Sequence, residues 1–386
     1  MSEIYKEIVA FIRQLYNNQK GIINLHEPVF KGNEKKYLND CIDSTFVSSV
    51  GKYAEKFEEM VAQYTHAKKA IVTVNGTNAL HLALLSVGVN PGEEVLTQPL
   101  TFIATANAIS YSRANPLFID VDKDTLGMSS EKLYQWLKKN VKADSKTGKS
   151  INKNTSNYIS ACVPMHTLGH PCRIDEIVKI CENYNIPVVE DAAESLGSFY
   201  KQKHTGTFGT IGVLSFNGNK TITTGGGGML LTNDERIGNH LKHLTTQAKI
   251  NHPWEYKHDQ IGYNYRMPNI NAALGVAQME RIENIIDDKR DTANKYKKFF
   301  ESLKIKFFTE PKNSRSNYWL NAILLNNREQ RDVFLHYANE NGVKCRPAWR
   351  LMNKLEMFKD CQKDNLSYSE WLENRIVNLP SSYKTK

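Results

Sequence analysis

The stretch from Ile186 to Leu231 constrains the fold more than any other part of the chain. Its apolar run Ile186–Val189 has the length and β-branched content of a buried strand, which puts the acidic pair Glu190-Asp191 at a strand's carboxyl end. A second apolar run, Val213–Phe216, delivers Ser215 and then Lys220, just before the four glycines Gly225–Gly228. Ligands bind outside the carboxyl ends of strands in open α/β sheets. One carboxylate, one hydroxyl and one lysine are therefore aimed at one region. Each alone has an ordinary reading, as a capping acid or a solvated amine. Together they make the set that holds pyridoxal 5'-phosphate: Lys220 for its aldehyde, Asp191 to keep its ring nitrogen protonated, and Ser215 for its phosphate.

With 386 residues, 40% of them hydrophobic, the chain can bury a large core and has room for two domains. Its six cysteines show no C-x-x-C spacing, so neither a zinc knuckle nor a disulfide framework is expected, and a cytoplasmic location fits. No metal site is expected. Residues 1–18 mix charges with apolar residues at helical spacing and read as an amphipathic helix. No run reaches the ~18 apolar residues of a membrane span. The formal charge of +9 comes with acids interspersed almost throughout. Nucleic acid is thereby disfavoured, and an anionic small substrate is favoured.

Along the chain, Tyr53, Phe57 and Met60 mark one face of a helix. A strand over Ala70–Val74 then meets the turn Asn75-Gly76-Thr77-Asn78 and a helix. Backbone N–H groups at such a helix start suit a phosphate, which places Gly76 and Thr77 in the cofactor site; an N-cap without a ligand would look the same. The next block repeats the strand–helix–strand rhythm of a parallel sheet, and Phe102 begins its helix. Residues 138–157 are rich in Lys, Ser and Asn and read as a solvated insertion or mobile loop that could meet a nucleotide's phosphates. His166, just past the strand-like YISACV, is expected to line the pocket. A long helical run covers Asn269 to Phe300, and short strand-like segments from Lys304 onward suggest a small α+β domain.

The segments EDAAESLGSFYKQKHTGTFG and LSFNGNKTITTGGGGM resemble the DegT/DnrJ/EryC1/StrS sugar aminotransferases, a branch of the fold type I pyridoxal phosphate enzymes. The resemblance spans roughly residues 24 to 382. It implies an α/β, aspartate aminotransferase-like fold: a three-layer domain with a mainly parallel sheet, plus a smaller C-terminal α+β domain. The N-terminal helix and the large cofactor domain would occupy residues 1–250, and a linker helix with the small domain residues 251–386. In the family's TF-x-AT-x-NAI pattern an aromatic stacks on the cofactor ring, and Phe102 matches it. In the GYNYRM pattern Asn264 would reach a partner's cofactor phosphate, implying a homodimer with composite sites. Ser48–Gly51 would lie near the substrate mouth, and the NLPSS ending matches as well. Glu194 stands where many relatives carry His or Gln, so it contacts either the ring or the sugar. Lys220 argues against the family's sugar 3-dehydratases, which place a histidine there.

The implied reaction moves an amino group from L-glutamate to C4 of a nucleotide-linked 4-keto-6-deoxy sugar, on the way to a legionaminic acid-like or perosamine-like sugar for a surface glycan. Lys220 would carry the proton between substrate and cofactor, with ping-pong kinetics. A 3-keto sugar aminotransferase is the alternative within the family; a non-catalytic binding module on the same fold is the alternative outside it. The nucleotide and the sugar stereochemistry are left open.

Overall fold

The computed structural model describes residues 2–384. A four-stranded sheet, in the order Lys69–Thr73, Gly228–Thr232, Ile211–Ser215, Val189–Asp191, meets a three-stranded sheet, in the order Ile159–Val163, Glu94–Thr97, Asn115–Phe118. Parallel bridges Cys162–Val188 and Met165–Asp191 join the two at their facing edges. Only Gly228–Thr232 runs against its neighbours; the remaining pairings are parallel.

Side chains alternate across this sheet with period two. Ala70, Val72, Leu214, Met229 and Leu231 share one core with the helices Lys52–Thr65 and Asn269–Met279. Ile71, Ile211, Val213 and Leu230 face the other way, onto the helices Gly76–Ser86, Ile103–Tyr111 and Glu235–Thr245. Both faces are covered, which is why these strands read as continuous apolar runs.

The strand expected over Ile186–Val189 begins only at Val189. Pro187 lacks the N–H that a ladder needs, so before Val189 the chain makes a single bridge, through Val188. Glu190 and Asp191 are the last two residues of the strand, at its carboxyl end as the sequence suggests.

Residues 138–157 are exposed over most of their length, as a solvated insertion would be, but they are folded rather than a loop. The strands Val141–Ala143 and Ser150–Asn152 pair as an antiparallel hairpin. Asn152 Nδ2 donates to Glu94 Oε2 at 2.6 Å, and Ser150 Oγ donates to the Tyr184 carbonyl at 2.6 Å. Glu94 opens its strand, so the hairpin docks at the amino ends of the parallel strands, opposite the Asp191 end, and is not placed to meet a nucleotide bound there.

The helical run from Asn269 is two helices, Asn269–Met279 and Ile282–Ser302, with a turn at Glu280-Arg281. Beyond them an antiparallel sheet runs in the order Lys306–Phe307, Asn321–Leu324, Ile376–Leu379, Arg346–Pro347. The helix Ser2–Leu15, expected beside the large cofactor domain, instead buries Tyr5, Ile8, Val9 and Ile12 with Tyr296, Phe300, Phe334 and Val377. Its amphipathic stripe is matched to that C-terminal core. Among the described residues no helix is long and apolar enough to cross a membrane, no cluster is placed to hold a metal, and all six cysteines are free thiols.

Candidate active site

Three of the residues singled out by sequence, Asp191, Glu194 and Lys220, come together at the carboxyl end of the sheet. Asp191 is 2% exposed. Its Oδ2 accepts a 2.6 Å hydrogen bond from Thr105 Oγ1, and its Oδ1 accepts the Ala193 N–H at 3.2 Å. Burial raises its pKa, against the pull of Thr105, Ala193 and the Lys220 charge.

Three residues further on, Glu194 is 1% exposed and points at the lysine, with Lys220 Nζ donating to Oε1 at 3.3 Å. The other oxygen, Oε2, accepts the Leu168 N–H at 2.8 Å. Burial pushes Glu194 up to about 7, with Lys220 resisting and Asp191 adding to the rise.

Lys220 also lies over an aromatic face, its Nζ 4.2 Å from the centre of the Trp319 ring. Trp319 is fixed in turn: its Nε1 donates to the Asn219 carbonyl at 2.7 Å, and its backbone N–H donates to Asn317 Oδ1 at 2.8 Å. Asn317, fully buried, donates from Nδ2 to the carbonyls of Glu194 and Leu196 and to Thr221 Oγ1. Trp319 and Asn317 were missed by sequence reasoning. They sit about a hundred residues from Lys220 in a segment that reads as an ordinary strand approach, and no spacing links them to it.

Gly76, Thr77 and Ser215 also converge. Asn75 caps the helix Gly76–Ser86 by accepting the Asn78 N–H at 2.8 Å. The Gly76 and Thr77 N–H groups are left as the helix's free donors, at its positive end. A Cβ added at Gly76 would lie 2.9 Å from Ser215 Cβ and 3.2 Å from its Oγ. Glycine is what lets the helix start press against the end of the strand Ile211–Ser215. Gly228 has the same role opposite, where a Cβ would lie 2.5 Å from the Asn75 carbonyl.

Phe102 is the N-cap of the helix Ile103–Tyr111, which carries Thr105, and at 47% exposed it is no core residue. Its ring stands edge-on to Trp349, at 6.3 Å between centres. Asn264 is exposed and pairs with Thr246 in an isolated bridge. Its neighbour Tyr265 turns inward, the carbonyl accepting the Val74 N–H at 2.8 Å and the hydroxyl meeting His81 Nδ1 at 3.4 Å. The Asn264 side chain has no hydrogen-bond partner among the described residues.

His166 does not line the pocket. It is fully buried, with Nε2 3.0 Å from Glu190 Oε2 and Nδ1 facing Cys172, 3.7 Å from its Sγ. Glu190 accepts the N–H groups of Gly206, Phe208 and Gly209 as well. Burial opposes a charged imidazole here, but Cys172 and Glu190 outweigh it and raise His166 to about 10. The acidic pair therefore splits: Glu190 ties loops together from one face of the strand, and Asp191 serves the site from the other.

A lysine-bearing turn and a glycine-started helix at the carboxyl ends of a largely parallel sheet define a fold type I pyridoxal phosphate enzyme. The aminotransferase TlmJ from Streptoalloteichus hindustanus has this fold, with a TM-score of 0.84 at 23% identity over 94% of each chain. The chain belongs to the DegT/DnrJ/EryC1/StrS aminotransferase family, whose profile matches residues 28–386. It is 40% identical over 359 residues to the GDP-perosamine synthase of Escherichia coli O157:H7, covering 93% of each chain. It is 37% identical over 365 residues to EpsN of Bacillus subtilis (strain 168), given provisionally as a pyridoxal phosphate-dependent aminotransferase, covering 93% of this chain and 90% of EpsN. The protein is thus a pyridoxal phosphate-dependent sugar aminotransferase. Its residues fit that cofactor. At Gly76 there is no space for a Cβ, which sets the helix start against the Ser215 hydroxyl as a phosphate site needs, and a buried carboxylate and a lysine stand in the same site.

Proposed function

We propose that the protein transfers the amino group of L-glutamate to C4 of a nucleotide-linked 4-keto-6-deoxy sugar, with GDP as the nucleotide, for a surface glycan. The observation that carries this reading is the near full-length similarity to an enzyme named for GDP-perosamine, a GDP-linked 4-amino sugar. That similarity favours the perosamine-like product over the legionaminic acid-like one and C4 over C3.

When bound, pyridoxal phosphate supplies an aldehyde that takes up an amine and a protonated ring that draws electrons from the reacting carbon. Lys220 Nζ would hold the cofactor through its aldehyde and would carry the proton to and from the substrate carbon. Asp191, oriented by Thr105, holds the proton at the ring nitrogen. Ser215 Oγ and the Gly76 and Thr77 N–H groups bind the phosphate, and Phe102 covers the ring and excludes water. The indole of Trp319 holds the Lys220 amine over its face.

Asn264 completes the phosphate site of a second copy in a homodimer. Its exposed side chain supports this, as does the exposed apolar surface beside it, where Trp254, Tyr256 and Ile261 are each at least 78% accessible. The chain divides near residue 250 into a large, three-layer cofactor-binding domain and a smaller α+β domain over 251–386, the helix Ser2–Leu15 belonging with the latter by its packing.

The test is to incubate the purified protein with pyridoxal phosphate, L-glutamate and a GDP-linked 4-keto-6-deoxyhexose, following 2-oxoglutarate release and the product by mass and NMR. Nitrogen bonded to C4 of the sugar is the expected result. Turnover only with a 3-keto sugar, or only with a UDP- or dTDP-linked sugar, would overturn the assignment.

A further inference from the structure

Glu194 has a geometry that ring or sugar contact does not call for. It is 1% exposed and both of its oxygens are engaged, Oε2 by the Leu168 N–H and Oε1 by Lys220 Nζ at 3.3 Å. Leu168 presents that N–H from a left-handed backbone, φ +59°. The Glu194 carbonyl is clamped by Asn317 Nδ2 at 2.8 Å, so the carboxylate is held in place from two sides.

We propose that Glu194 is a general base for Lys220: its Oε1 removes a proton from Nζ as that nitrogen attacks the cofactor's aldehyde carbon, and returns it when the lysine is released. The N–H bond that breaks leaves its electron pair on Nζ for the new N–C bond. The O–H bond that forms neutralises the carboxylate, while the aldehyde oxygen takes up the carbonyl π pair and a second proton from Nζ and leaves as hydroxide to the solvent. This rests on Lys220 being the cofactor lysine.

The charged groups facing Glu194 are Lys220 and the Asp191 carboxylate; the Leu168 N–H and the Asn317 amide, which holds the Glu194 carbonyl, are neutral. His26, on the Lys220 side, is held neutral by burial and by the charges of Lys289 and Lys220. Burial and Asp191 raise Glu194 against Lys220, to about 7, so it is a stronger base than an exposed carboxylate and is matched to neutral pH. Glutamine would keep the shape and could accept from Lys220, but it could not take the proton.

The experiment uses cofactor-free protein. Lys220 reactivity is read by competitive acetylation with acetic anhydride and peptide mass spectrometry, and cofactor capture by the rise of the band near ~420 nm, both across pH 5.5 to 9. Wild type should show an inflection near pH 7 in both. Glu194→Gln should slow both by at least about tenfold near neutral pH and remove the inflection, and Glu194→Asp, which keeps an ionisable group, should restore part of each. Circular dichroism confirms that each variant is folded. Wild-type rates and inflection in Glu194→Gln would overturn the role of Glu194 alone. If borohydride fixes the cofactor on a lysine other than Lys220, the lysine assignment falls and this inference falls with it.

Discussion

Thr105 Oγ1 donates a 2.6 Å hydrogen bond to Asp191 Oδ2, joining the helix that Phe102 caps to the strand end that carries the carboxylate. Burial raises Asp191, and the Thr105 hydroxyl works against that rise. Thr105→Val should therefore loosen the carboxylate and favour its neutral form. The hydrogen bond has a charged acceptor, so its loss should remove about 1.5–3 kcal/mol. Expressed in the rate, that is a fall in kcat of about ten- to a hundredfold, with cofactor retained. Asp191→Asn should cost more than Thr105→Val, because an amide cannot stabilise a protonated ring nitrogen. Stopped-flow half-reactions with L-glutamate measure both, and an unchanged Asp191→Asn rate would move the electron-sink role elsewhere.

The His166–Glu190 pair is structural, and its pH dependence has a definite sign. His166 is raised to about 10, so its contribution is fully present below the ordinary histidine pKa and is lost as pH climbs through the folded value. His166→Ala leaves Glu190 buried without its cation and should destabilise the protein by about 3–5 kcal/mol near pH 6. The gap from wild type should narrow toward pH 10. Denaturant titrations at several pH values test this, and a gap that widens with pH would contradict the pairing.

Glu194 should show the opposite balance between stability and function. Its folded pKa lies above the unfolded one, so its stabilising contribution exists at low pH and is lost as pH rises through about 7. Cofactor-free Glu194→Gln should be more stable than wild type above that pH, by an amount on the order of 3 kcal/mol, with little difference near pH 4.5. Thermal melts at pH 5 and 8 read the crossover. Equal melting temperatures at both would show that the carboxyl is not strained by burial.

Much of the site was legible because its parts are local. Asp191 and Ser215 each end an apolar strand segment, and Lys220 and Gly76 follow strands directly, so chain order alone brings them to one sheet edge. Trp319 and Asn317 were not legible, because their place depends on how the segment after the helix Ile282–Ser302 folds back over Lys220. The docking of Ser2–Leu15 on the C-terminal core escaped for the same reason: an amphipathic stripe announces burial but not its partner. His166 was misplaced because sequence does not show which way a side chain turns at a strand end. The hairpin over 141–152 was hidden by its polar composition; its order comes from hydrogen bonds such as Asn152 to Glu94 rather than from an apolar face.

The exposed Asn264 predicts complementation between chains. Co-expressed Lys220→Ala and Asn264→Ala chains, purified through two different tags, should give hybrid dimers with one intact site. At limiting cofactor their activity should exceed the mean of the two parent homodimers. Hybrids that form but never exceed that mean would place Asn264 in its own chain's loop, beside Tyr265.

The account as a whole turns on Lys220. Borohydride reduction of the cofactor-loaded protein, followed by proteolysis and mass spectrometry, should abolish the absorbance near ~420 nm and leave the pyridoxyl mass on the peptide that contains Lys220. Lys220→Ala should stay folded, because the amine contributes no part of the glycine-lined scaffold, and should show neither the band nor turnover. The label on any other lysine, or turnover by Lys220→Ala within about tenfold of wild type, would contradict the account.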